Sequence, residues 1–201
     1  MKKSLLVLLL SLCALGTRAQ VDAQFNFVNL MLFEASGSVE AALNDNVSFG
    51  GFTGYHYGLP NGIDEIHPGI DNQGGENEFF YIGPELKYYV YPKDKIDRFY
   101  LGVYARYSVG KATSADDGTY DINGNWISRT YSSTYNKVAF GISLGSKWVT
   151  RNNIVFGVSG GIDRNLLAIY ADEEYLDHTP GGSDDENFGF RLGLSIGYRF
   201  D

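Results

Sequence analysis

The last stretch of the chain alternates without a break: Phe188, Phe190, Leu192, Leu194, Ile196, Tyr198 and Phe200 interleave with Gly189, Arg191, Gly193, Ser195, Gly197 and Arg199. A period of two is the signature of a β-strand with two unlike faces. The same split recurs in 137–149, where Val138, Phe140, Ile142, Leu144 and Trp148 oppose Ala139, Gly141, Ser143, Gly145 and Lys147, and again in 153–163, 98–110 and 78–91. Weaker segments at 47–57, 37–43 and 25–33 bring the count of predicted strands to eight, the two nearest the N-terminus separated only by Glu34-Ala35-Ser36. The connections at 44–46, 92–97 and 150–152 are short, whereas 58–77, 111–134 and 164–186 are long and polar.

An all-β, eight-stranded antiparallel up-and-down barrel follows, and the alternation of short and long connections is that of a transmembrane barrel with short periplasmic turns and long outer loops. With eight strands both termini fall on the periplasmic side, and 34–36 becomes an unusually short outer loop. Alternation alone is shared with soluble barrels of apolar interior. The polar face separates the two. It is made of Gly, Ser and Ala rather than of the Lys, Glu and Thr expected on a wetted surface, and small residues suit a narrow, crowded lumen. Among them stand Glu40, Glu85, Lys87, Arg106, Lys147, Asp163, Arg191 and Arg199, charges of both signs whose mutual pairing would offset their desolvation. They are expected to form a lumen charge network that plugs the barrel, rather than a catalytic set. Aromatic residues gather near the short turns (Tyr88, Tyr89, Tyr91, Phe99, Tyr100, Trp148, Tyr198, Phe200) and near the long loops (Tyr55, Tyr57, Phe79, Phe80, Tyr81, Tyr107, Tyr135, Phe188), as two interfacial girdles would.

Composition agrees with this reading. The 201 residues include 25 Gly, 15 Tyr and 13 Phe, with only 20% charged, which is unlike a helical domain. One cysteine excludes an internal disulfide framework, and a net charge of −8 argues against nucleic acid as a partner. Lys2 and Lys3, the apolar run Leu5 to Leu15, and Gly16-Thr17-Arg18-Ala19 read as a secretory signal over 1–19, cleaved after Ala19. Cleavage discards Cys13 and three cations and leaves 20–201 as one domain with a net charge of −11.

At the terminus, Tyr198-Arg199-Phe200-Asp201 resembles the aromatic-x-aromatic assembly signal by which outer-membrane barrels are recognised and inserted. Together with the Gly-rich alternating strands and the loop asymmetry, the chain over 20–201 resembles the small outer-membrane β-barrel proteins of Bacteroidota-type Gram-negative bacteria, in the broad superfamily of OmpA-like and OmpW-like barrels. The resemblance implies an outer-membrane address, contact with outer-membrane lipid and lipopolysaccharide, and handling by the barrel-assembly machinery through Tyr198 and Phe200. It implies no reaction.

The candidates for chemistry are the three histidines, His56, His67 and His178. No His-x-Ser pair and no His-x-His or His-x₃-His spacing occurs, so neither an activated nucleophile nor a histidine metal site is expected. His56, near the outer end of the third strand, reads as an inward structural histidine. Asp116 to Asn125 superficially resembles a calcium loop, but with Gly124 as the turn glycine the first and last ligand positions fall on Thr119 and Thr130 rather than carboxylates. The last long loop carries Asp172, Glu173, Glu174, Asp177, Asp184, Asp185 and Glu186 without an intervening cation, the pattern of a solvated surface. Loop aromatics such as Tyr120, Trp126, Tyr131, Tyr170 and Tyr175 offer contacts for a surface glycan or protein ligand. No catalytic residue, metal or cofactor is assigned. The expected role is non-enzymatic, structural in the envelope or interactive through the loops. The alternative is a narrow transport or ligand-binding barrel for a small hydrophobic molecule, for which the glycine-rich inner faces at 139–145 and 155–161 leave room.

Overall fold

Strands with one apolar face have to hide the polar backbone along both edges, and a closed ring does so without an exposed edge. The computed structural model describes residues 20–31, 33–57, 78–115, 119–120, 122, 126–127, 130–171 and 188–200. The signal segment, His67, His178 and nearly all of the acidic last loop lie outside the described residues. Within them run β1 (Val21–Asn26), α1 (Phe27–Met31), β2 (Glu34–Ala42), β3 (Val47–Tyr57), β4 (Glu78–Tyr89), β5 (Arg98–Ala115), β6 (Thr130–Val149), β7 (Ile154–Tyr170) and β8 (Phe188–Phe200). Each strand pairs antiparallel with the next, and β8 closes on β1 from Val21↔Phe200 to Asn26↔Ser195. The result is an eight-stranded closed barrel, with a small separate ribbon pairing Thr119–Tyr120 with Trp126–Ile127.

The first hairpin departs from expectation. Glu34, Ala35 and Ser36 lie in β2, not in a turn, and the connection is α1 with Phe33, whose φ of 57° reverses the chain. The cause is closure. Asp22 is directly opposite both Arg199 and Glu40, so β1 has to begin at the start of the described chain. The long connections are also shorter than the pattern implies, because β5, β6 and β7 continue their ladders to Ala115, from Thr130 and to Tyr170. There Ala112, Thr113 and Ser114 pair with Ser133, Ser132 and Tyr131, a stretch whose backbone bonds persist although its sequence has no apolar alternation.

Outside, the wall is apolar from strand to strand: Phe49, Leu86, Leu101, Val103, Ile142, Leu144, Phe156, Val158, Leu194 and Ile196 are all exposed. Inside, small residues make room for rings. Tyr81 is the register partner of Gly54, Tyr100 of Gly145, and Tyr104 of Gly141, so each inward tyrosine lies over a neighbouring strand's glycine. A Cβ on Gly141 would sit 2.5 Å from the Tyr104 ring and 2.6 Å from the Ile162 carbonyl oxygen. The room expected along 139–145 is therefore filled. Gly141→Val should destabilise the barrel by about 1–3 kcal/mol through this overpacking, measured by reversible urea unfolding in lipid vesicles, whereas the outward neighbour Ile142→Val should change little.

The aromatic groups divide by face rather than forming two simple girdles. Tyr88, Tyr91, Phe99, Trp148, Tyr198 and Phe200 are exposed near the short turns, as are Tyr55, Tyr57, Phe80, Tyr107 and Phe188 near the long connections. Tyr89, Tyr100, Tyr81 and Tyr135 are buried in the lumen, and Phe79 packs against that core.

Candidate functional site in the barrel lumen

Eight strands enclose a lumen that side chains can fill, and here they fill it with charge. At the short-turn end Asp22 on β1 accepts a fork from Arg199, Nε to Oδ1 at 2.7 Å and Nη2 to Oδ2 at 2.9 Å, and also Lys147 Nζ at 2.5 Å. Lys147, on β6, reaches across the barrel to Glu40 on the opposite strand β2. Glu40 further accepts from Lys87 Nζ and the Tyr89 hydroxyl, each at 2.8 Å. Lys87 lies 3.7 Å from Glu85, which takes the Ser143 hydroxyl at 2.6 Å. Three buried carboxylates thus meet three buried cations and balance in charge, with the exposed Asp94 carboxylate 3.7 Å from Arg199 at the edge. The cavity beside Glu40, Glu85 and Lys87 has no room for a water molecule.

The β4–β5 connection closes this end further. Asp97 Oδ1 accepts the backbone N–H groups of Lys93 at 2.5 Å and Asp94 at 3.0 Å, folding the turn inward. Ile96 is 0% exposed, in the same core cluster as Tyr89 and Tyr100. Arg199 donates to the carbonyls of Asp94 at 3.1 Å and Ile96 at 3.0 Å, so the cap is tied to the ion-pair cluster.

Nearer the long connections a second group forms. Arg106 pairs with Asp163 at 2.8 Å, and the Tyr104 hydroxyl donates to the same carboxylate at 2.8 Å. Arg191 joins neither cluster. Its guanidinium lies 3.8 Å from the Phe52 ring centre and 4.7 Å from that of Tyr104, with no carboxylate partner among the described residues. Glu34 accepts from the Tyr81 hydroxyl and the Asn29 amide, both at 2.5 Å. His56 is buried and stacks on Phe79 with ring centres 5.1 Å apart. Tyr198 and Phe200 point outward, edge to face at 5.0 Å.

So Glu40, Glu85, Lys87, Lys147 and Arg199 come together, Arg106 and Asp163 form a separate pair, and Arg191 rests on two rings without a carboxylate among the described residues. Sequence reasoning missed Asp22, the centre of the lower cluster, because it precedes the first alternating segment. It also missed Ile96, whose apolar side chain between Lys95 and Asp97 was the available signal.

The closed barrel is similar in fold to solved structures. The crystal structure of a major outer membrane protein from Thermus thermophilus is similar with a TM-score of 0.51 and 12% identity, over 90% of this chain and 98% of that one. The fold is that of an outer-membrane β-barrel. Neisserial surface protein A was also matched, with a TM-score of 0.41 and 15% identity over 90% of this chain and 94% of that one. No protein-family model and no curated protein sequence matches the chain.

Proposed function

We propose that this protein is a sealed, non-enzymatic barrel of a Gram-negative outer membrane, serving envelope structure or surface interaction through its long acidic loops. The observation that carries this reading is the neutral cluster of Asp22, Glu40 and Glu85 with Lys87, Lys147 and Arg199, capped by Ile96. Paired charges that span a narrow lumen oppose the passage of ions. The outer wall of leucine, isoleucine, valine and phenylalanine suits hydrocarbon, where a soluble protein would expose large patches to water. The termini, next to the short turns, then face the periplasm, and the long connections face outward with their glycan- or protein-binding aromatics. Assembly uses the outward Tyr198 and Phe200, and the resemblance of the terminal motif and Gly-rich strands supports a Bacteroidota-type source.

Planar-bilayer recording tests the sealed lumen. The wild-type barrel should give no stable channel. Removing the lid and the bridge together, in Ile96→Gly with Lys147→Ala, should produce small conductance events, and large steady conductance from the wild type would refute the reading.

A further inference from the structure

Among the described residues, β1 stops short of its neighbour β8. β1 pairs with β8 only as far as Asn26↔Ser195, while β8 continues to Phe188. Where β1 would carry on, the chain turns into α1, which packs against both β8 and β2. Asn26 patches the first gap: its Oδ1 accepts the Leu194 N–H at 3.2 Å and its Nδ2 reaches the Leu192 carbonyl at 3.5 Å. Backbone groups alternate sides along a strand, so the Leu192 N–H and both groups of Phe190 point at the same vacated track. The outer side chains report the gap as well. Exposure is 41% at Leu194 and 43% at Ile196, where β1 is alongside, and rises to 73% at Leu192 and 76% at Phe190, where it is not.

Arg191 lies between those two residues and faces the lumen. Gly189 and Gly193, its inward neighbours on β8, have no side chains to screen it. Its guanidinium rests on Phe52 and Tyr104, and its Nη1 is buried without a hydrogen-bond partner. A guanidinium presents five donors, and rings satisfy none of them as an anion would.

We propose that the seam between α1 and the outer half of β8 is a lateral binding site for a long-chain carboxylate, its head on Arg191 and its chain leaving the wall past Leu192 along Phe190. A carboxylate matches the guanidinium fork and neutralises the one lumen cation left without a partner among the described residues. A chain lying along β8 beyond Asn26↔Ser195 breaks no β1–β8 pair. This site rests on the membrane reading above and deepens the alternative raised from the sequence, a ligand-binding barrel for a small hydrophobic molecule, while leaving the lower plug shut.

The test uses the full chain purified from membranes, carrying Trp126→Phe and Trp148→Phe with one reporter, Phe190→Trp at the gap or Phe140→Trp on β6 of the far wall. Dibromostearate in neutral detergent should quench the Phe190→Trp reporter saturably. Stearate should displace it, whereas methyl stearate and octanoate should not. Arg191→Gln should weaken binding about tenfold or more, the cost of losing a charge-assisted pair, and Arg191→Lys should retain most of it. The displacement series needs no change at Arg191, so it decides even where Arg191→Gln folds poorly. Equal, unsaturable quenching of both reporters, or displacement by methyl stearate as good as by stearate, would overturn the site while leaving the membrane reading intact. Absence of a folded band with heat-modifiable mobility in detergent would instead defeat the membrane reading, and the site with it.

Discussion

Lys147→Ala is expected to cost about 3–5 kcal/mol of folding stability, because removing one member of a buried ion cluster leaves uncompensated charge in place. Lys147 is 1% exposed and holds both Asp22 and Glu40, so two carboxylates on adjacent strands would lose their shared cation at once. Arg199 would still hold Asp22, and Lys87 would still hold Glu40, which keeps the loss from being larger. Neutralising one acid in the same background, as Lys147→Ala with Glu40→Gln, should restore about 1–2 kcal/mol. Urea unfolding in lipid vesicles, followed through tryptophan emission, reads both. Additive losses in the double variant would show that Lys147 and Glu40 do not act on each other.

Leu194→Arg should cost about 2–4 kcal/mol, the penalty for a cation on the lipid face near the bilayer midplane. Leu194 is exposed on β8, paired with Val158 of β7, and well inside the strand. Leu194→Ala should be mild, below about 1 kcal/mol, since no protein cavity opens at an outward site. The adjacent Ser195 faces the lumen and donates its hydroxyl to Gln24 Oε1 at 2.8 Å. Ser195→Arg therefore fails for another reason, crowding against Gln24 and Gly157, at about 1–3 kcal/mol. If water bathed the outer wall, Leu194→Arg would be neutral or favourable, and the same unfolding experiment would show it.

How far this was legible in the residues follows from the range of each interaction. In β8 the parity of Leu194 and Ser195 is local information, and the face of every residue from Phe188 to Phe200 could be read from its neighbours. The inward charges were legible on the same ground, but their partners were not. Lys147 meets Glu40 across the barrel, and no pattern along one strand reports what stands on the opposite wall. The tyrosine–glycine pairs have the same character: Tyr104 and Gly141 are each conspicuous, yet only the register of β5 against β6 puts one over the other. The first hairpin misled because Phe25, Phe27, Leu30 and Phe33 look like one extended apolar run, whereas the register of closure is decided by Asp22 opposite Arg199. That same register ends β1 before it reaches the level of Arg191, a feature invisible without knowing where both strands stop.

The central claim, a barrel that spans a membrane with lipid on its wall, is tested most directly by fractionating cells that produce the full chain. The protein should sediment with the outer membrane, resist extraction by alkaline carbonate, and migrate as a compact band until boiled. Recovery of the folded protein in the soluble periplasmic fraction would contradict it.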